Sequence, residues 1–142
     1  VTEIKFFFNV ENRLALACKL CKSALEQKKK LVVYVPEDAV ALEFDRLLWG
    51  MYPLSFIPHV RAEHAYAKVT PVIFANAQSE LPHHDALLNL SRETPPYFTR
   101  FEQLREIVTT DENDRAAARE RLKFYKSRGF EVTIQDMAPV AS

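Results

Sequence analysis

Residues 31–38 read Leu31-Val32-Val33-Tyr34-Val35-Pro36-Glu37-Asp38. A near-continuous apolar run with no polar alternation is the pattern of a strand covered on both faces, which is the condition of a strand inside a parallel sheet. Pro36 cannot donate to a ladder and stops the run, and the acids behind it suit the positive pole of a helix starting there. That helix is expected to run to about Gly50. A buried strand leading directly into a helix is half of a crossover unit, so strands and helices are expected to alternate along the whole chain.

The flanking sequence extends this pattern in both directions. Upstream, residues 4–10, with Phe6-Phe7-Phe8, read as a first strand, and residues 12–27 switch to helical spacing. Leu14, Cys18, Cys21 and Leu25 fall on one buried stripe of that helix, which ends at Lys28-Lys29-Lys30. Downstream, residues 53–59 form a proline-bracketed extended segment, and a polar loop reaches about Lys68. Residues 69–75 read as a strand in which Pro71 marks an edge or a strand start. Residues 86–90 fit a strand or a short helix, the strand being preferred. After Pro95-Pro96, a helical turn at 97–101 leads to a strand at 104–109. The last helix, 111–128, has Asp111, Glu112 and Asp114 in its first turn, Lys123, Lys126 and Arg128 in its last, and Gly129 at the position that ends it. Residues 130–134 close as a strand, and 138–142 are expected to fray. The result is a single-domain expectation over residues 1–142: a three-layer α/β sandwich on a mainly parallel sheet with helices on both faces.

Composition removes several function classes. Nineteen Lys+Arg and nineteen Asp+Glu cancel to a formal net charge of zero, so no whole-molecule field draws the chain onto nucleic acid, and strong direct nucleic-acid binding is not expected. No apolar stretch approaches the roughly 20 residues that span a bilayer, and no charged-then-apolar leader precedes Phe6, so a soluble, cytoplasmic protein without membrane contact is expected. The only two glycines, Gly50 and Gly129, do not stand between a strand and a helix start, which leaves neither a Walker loop nor a dinucleotide fingerprint. An α/β nucleotide-binding protein or enzyme with a degenerate phosphate loop is the alternative that this weakens. Cys18 and Cys21 lie on a core stripe without a second pair, and His83-His84-Asp85 reads as a polar loop. No catalytic residue, metal site or cofactor is therefore expected.

Two groups of residues stand out as adhesive. With Val40, Phe44, Leu47 and Met51 as the inward stripe of the second helix, Trp49 falls on the opposite face with Leu42, Asp45 and Arg46. The ring is either left for a partner or covered within the monomer by Tyr52 or Phe56. On the last helix Arg115, Arg119, Leu122 and Lys126 form one stripe, with Lys123 one turn beyond Arg119 and with Ala118 and Tyr125 next to Leu122. Cations bordering an apolar strip suit an acidic peptide with an apolar end; equally, they suit a solvated face paired with Glu120 and the acids at 111–114.

Taken in order, Phe6-Phe7-Phe8, Phe44-Asp45-Arg46-Leu47-Leu48-Trp49, Ser55-Phe56-Ile57-Pro58-His59, Ala118-Arg119-Glu120-Arg121, Tyr125 and Gly129-Phe130 resemble the chi subunit family of bacterial DNA polymerase III over nearly the whole chain. The resemblance implies a Rossmann-like α/β domain acting as a non-catalytic adaptor in DNA replication. It implies pairing with the psi subunit of the clamp-loader assembly at Trp49 and Phe56. It also implies capture of the acidic C-terminal tail of single-stranded DNA-binding protein at Arg115, Arg119, Leu122 and Lys123.

Overall fold

The computed structural model describes residues 1–51 and 56–139. The first apolar run forms β1 (Glu3–Val10), and Asn12 caps the helix that follows by accepting the Ala15 N–H at 3.1 Å, starting α1 (Arg13–Glu26). The run at 31–35 forms β2 (Leu31–Tyr34), with all four residues buried, and Asp38 opens α2 (Asp38–Met51). Then come β3 (His59–Arg61), a 3-10 turn at Ala67–Val69, β4 (Val72–Ala75), β5 (Ala86–Asn89), a second 3-10 turn at Phe98–Arg100, β6 (Gln103–Thr109), α3 (Glu112–Ser127) and β7 (Val132–Asp136).

The seven strands make one sheet in the order β3-β4-β2-β5-β6-β1-β7, and every pairing is parallel. Because strands of equal direction need crossovers, each face is covered by connections. One face carries α1 and α2, whose Ala17, Cys18, Cys21, Ala41, Phe44 and Leu48 pack with Leu31, Val33 and Phe74. The other carries α3 and the two 3-10 turns, where Ala67, Phe98, Ala118 and Tyr125 cover Ile4, Phe6, Val32 and Leu104. This is the expected α/β sandwich, and both cysteines are free and buried.

Several expectations are corrected in detail. Residues 59–61 are a short edge strand within what reads as an extended segment and loop. Pro71 marks a strand start and not an edge, since β4 lies inside the sheet; its carbonyl accepts the Leu31 N–H at 2.8 Å, so its missing N–H breaks no pair. The buried stripe of α2 is Ala41, Phe44 and Leu48, because Phe44 stacks on Phe74 of β4 and turns that flank of the helix inward. Val40 and Leu47 therefore sit at its margin and Met51 is exposed. His83 is buried, although it stands in a loop as expected. The first part of the segment at 53–59, and the end expected to fray beyond Pro139, lie outside the described residues.

One polar cluster fixes α3 on the sheet. Glu106 of β6 is fully buried and accepts Arg121 Nε at 3.1 Å, the Tyr125 hydroxyl at 2.6 Å and Asn89 Nδ2 at 3.0 Å. Arg121 Nη1 continues to the Arg92 carbonyl at 2.7 Å, and Asn89 Nδ2 to the Glu93 carbonyl at 2.8 Å. Removing one partner of such a pair strands a buried charge, so Arg121→Ala should cost about 3–5 kcal/mol in denaturant unfolding, whereas a solvent-facing change such as Lys126→Ala should stay within about 0.5 kcal/mol.

His83 adds a pH dependence. Burial, helped by the nearby Lys30 charge, holds its imidazole below the ordinary 6.5. The unfolded chain then binds the extra proton first, so this group's contribution to stability is present above about pH 6.5 and is lost as the pH falls below it. His83→Leu should therefore flatten the fall in melting temperature between about pH 6.5 and pH 5 relative to the parent chain. An unchanged slope would contradict it.

Candidate interaction surfaces

A column of rings leads outward from the core to the β3 edge. Phe44 stacks on Phe74 with centroids 5.2 Å apart, Phe74 on His59 at 5.5 Å, His59 lies 5.3 Å from Trp49, and Trp49 4.9 Å from Phe56. His59 is held in place from both ring nitrogens, by the Ile57 carbonyl at 2.7 Å and by Asp45 Oδ1 at 2.8 Å. The column ends in solvent: Trp49 is 57% exposed and Phe56 59%, with Leu42 and Met51 also exposed nearby on α2. Phe56 thus touches Trp49 without covering it, while Tyr52, the other candidate cover, lies outside the described residues. Beside the column, Leu42, Asp45, Val60 and Arg61 border a groove of about 140 Å³. The rotated stripe of α2 places Trp49 at the flank of the buried face, next to β3, and not diametrically opposite the core.

The second group gathers at the opposite edge. Asp111 caps α3 by accepting the Asp114 N–H at 3.0 Å, and Asp114 is buried between Arg13 at 2.5 Å and Arg92 at 3.3 Å. Desolvation would push the Asp114 carboxyl up, but the Arg13 guanidinium and the Thr109 donors outweigh it and hold it below the usual carboxylate range. Arg115, half-buried, donates to Asn9 Oδ1 at 2.5 Å, and Asn9 Nδ2 donates to Asp136 Oδ1 at 2.8 Å. Asn9 has φ 60, a left-handed conformation that asparagine tolerates better than most residues, and it turns the carboxyl end of β1 toward both partners. Arg115 is therefore anchored, while Arg119 is exposed with Glu112 at 3.4 Å, and Lys123 is exposed with Glu120 at 3.8 Å. Such pairs are loose and solvated, and both cations can exchange partners at little cost.

The apolar half of this surface differs from the expectation. Ala118 and Tyr125 are fully buried and form part of the core, so they offer nothing to a ligand. Leu122 is partly buried at the margin of that core, with Phe8 and Val132. Ile134, 55% exposed, pairs in register with Phe6 and so points to the same face of the sheet as α3. The alternation Val132-Thr133-Ile134 was its signal in the sequence, read there only as a closing strand. Among the described residues, no group of three or more His, Cys, Asp or Glu could hold a metal ion, and no helix is long and apolar enough to cross a membrane.

Comparison with known proteins gives the class first: the chain matches components of DNA replication. It belongs to the family described as DNA polymerase III chi subunit, HolC, whose family model matches residues 1–133. It is 31% identical to the DNA polymerase III subunit chi of Pseudomonas aeruginosa, covering 83% of this chain and 82% of that protein. It is also 31% identical to the subunit chi of Haemophilus influenzae, over 86% and 85% of the two chains, and 26% identical to that of Escherichia coli, over 81% and 79%. Membership supports an accessory role in replication.

Because Trp49 and Phe56 are largely solvated, truncating either should leave the monomer close to intact. Trp49→Ala and Phe56→Ala should each cost no more than about 1.5 kcal/mol in denaturant unfolding, against about 3–5 kcal/mol for Phe44→Ala. Comparable losses at all three positions would place the outer rings in the core.

Proposed function

We propose that this chain is a non-catalytic adaptor. In this reading Trp49 and Phe56 hold the psi subunit of the clamp-loader assembly, while Arg115, Arg119, Leu122 and Lys123 hold the acidic C-terminal tail of single-stranded DNA-binding protein. The observation that carries the reading is the placement of the two surfaces. The ring column ends at β3 and the basic flank of α3 faces β7, the two edges of the sheet. Six interstrand spacings of about 4.8 Å separate these edges by roughly 29 Å, enough for two partners to bind without meeting. Chemistry supports each assignment: solvated aromatic rings suit the anchor of a protein interface, and an exposed guanidinium above an apolar margin suits a carboxylate-bearing peptide.

The surfaces should then fail separately. Trp49→Ala and Phe56→Ala should weaken psi binding by about 2 kcal/mol or more, roughly 30-fold, and leave tail binding unchanged. Arg119→Ala should weaken binding of the tail peptide by about 2 kcal/mol, and Arg119→Lys should recover only part of this, since an ammonium cannot fork across a carboxylate. Added salt should weaken the tail complex, whereas deleting the peptide's terminal apolar residue should cost affinity at every salt concentration. Calorimetric titration of the full chain measures each of these. An Arg119→Ala chain that binds the tail like the parent, or a salt-independent affinity, would mean that the basic flank is merely a solvated helix face.

A further inference from the structure

A net charge of zero conceals an uneven distribution. Between residues 19 and 30, five lysines stand against one acid, Glu26. Three of them, Lys28, Lys29 and Lys30, follow α1 at the amino-terminal edge of the sheet, where β2, β5 and β6 begin. A half-open groove of about 210 Å³ lies at that edge, floored by Leu31 and Ala86 and bordered by Gln27, Gln103, Lys29 and Arg105. Lys5 pairs in register with Arg105 and adds a further cation to the same side, where Glu3 lies 3.4 Å from Arg105 and Asp85 accepts the Lys30 backbone N–H at 3.1 Å. Among the described residues, no carboxylate lies within ion-pair distance of the Lys28, Lys29 or Lys30 ammonium.

The backbone supplies a second, independent observation. Two helices end in the same hydrogen-bonded motif. In α3, the Gly129 N–H reaches the Lys126 carbonyl at 3.0 Å and the Phe130 N–H reaches the Tyr125 carbonyl at 3.1 Å, with Gly129 at φ 85. In α1, the Lys28 N–H reaches the Leu25 carbonyl at 3.0 Å and the Lys29 N–H reaches the Ala24 carbonyl at 2.9 Å, with Lys28 at φ 58. The left-handed position is thus held by glycine in one helix and by lysine in the other. A Cβ is disfavoured there, and the Lys28 side chain gains no ion pair in return. Strain kept without a local gain points to a role for the charge itself.

We infer that this edge binds the phosphate backbone of single-stranded nucleic acid. Lysines 28, 29 and 30 meet successive phosphates, and the groove beside Arg105 receives one base or sugar. A cavity of about 150 Å³ accommodates a benzene ring, so the space suits one nucleotide moiety of a flexible strand and not the broad face of a duplex. Recognition by compact ammonium charges is independent of sequence, and with only a few phosphates engaged it is weak in isolation and steeply dependent on salt. The site lies apart from the ring column and from the basic flank of α3, so it does not rest on the adaptor reading.

The test is fluorescence anisotropy of a labelled oligothymidylate of about 20 nucleotides, titrated with the full chain at about 20 mM and about 200 mM salt. The parent chain should bind at low salt and lose most of its affinity at high salt. A chain carrying Lys28→Gly, Lys29→Gln and Lys30→Gln should bind at least about tenfold more weakly, and the slope of log affinity against log salt should fall by about 2, or about 0.7 for each lost phosphate contact. Lys28→Gly alone should weaken binding while raising the melting temperature, a pair of opposite changes that a purely structural lysine would not give. The proposal is overturned by any of four results: no binding at low salt, a triple variant that binds like the parent, a melting temperature lowered by Lys28→Gly, or preference for a duplex of equal length.

Discussion

Glu106 is the constraint on which the arrangement of the α3 face depends. A carboxylate inside a parallel sheet is tolerable only where donors surround it, and Arg121, Tyr125 and Asn89 do so from a helix and a neighbouring strand. An apolar contact of equal area could let α3 slide or roll by part of a turn; a charge with directional partners cannot be satisfied in any other register. That fixed rotation sends Arg115, Arg119 and Leu122 to the β7 flank and Phe124 to the opposite one, against Phe98. The same cluster reaches the loop after β5 through the Arg92 and Glu93 carbonyls, and the Tyr34 hydroxyl joins Glu93. β2, β5, β6 and α3 are therefore linked by polar contacts as well as by packing.

The fold was legible because its signals are local. The unbroken apolar run of β2, the acidic start of α3 and Gly129 each act within a few residues, and each appears in the structure where the sequence placed it. The resemblance to the chi family was also legible, through motifs spread over nearly the whole chain, and the family match over residues 1–133 agrees with it. Less legible was whatever depends on a distant partner. Arg121 stood in plain view beside Arg119, but periodicity alone does not say that a buried Glu106 waits across the sheet to neutralise it. The rotation of α2 was hidden for the same reason: Ala41 and Val40 are both apolar, and only contact with the sheet decides which of them faces inward. The apolar contribution of Ile134 required knowing that β7 pairs with β1 in the register Phe6 to Ile134.

The two surfaces also differ in how rigidly they are presented. The ring column is continuous with the core, and His59 is fixed from both ring nitrogens, so Trp49 sits on a braced support. The basic flank combines an anchored Arg115 with two cations in loose, solvated pairs. A braced aromatic surface loses little side-chain entropy on docking, whereas long cationic side chains lose more but adapt to an irregular peptide.

The strand order has a consequence for how the chain is made. β1 is made before the other described strands, yet its two neighbours in the sheet, β6 and β7, are the last of them to be made. Until about a hundred residues have followed it, the apolar surface around Phe6 and Phe7 has neither ladder partner. Contacts of such long sequence separation form late and slowly, and an unpaired apolar strand is the kind of surface that invites association with other chains. The native sheet therefore closes around β1 only once β6 and β7 arrive, and while the strands between them are being made β1 is covered by something other than its final neighbours.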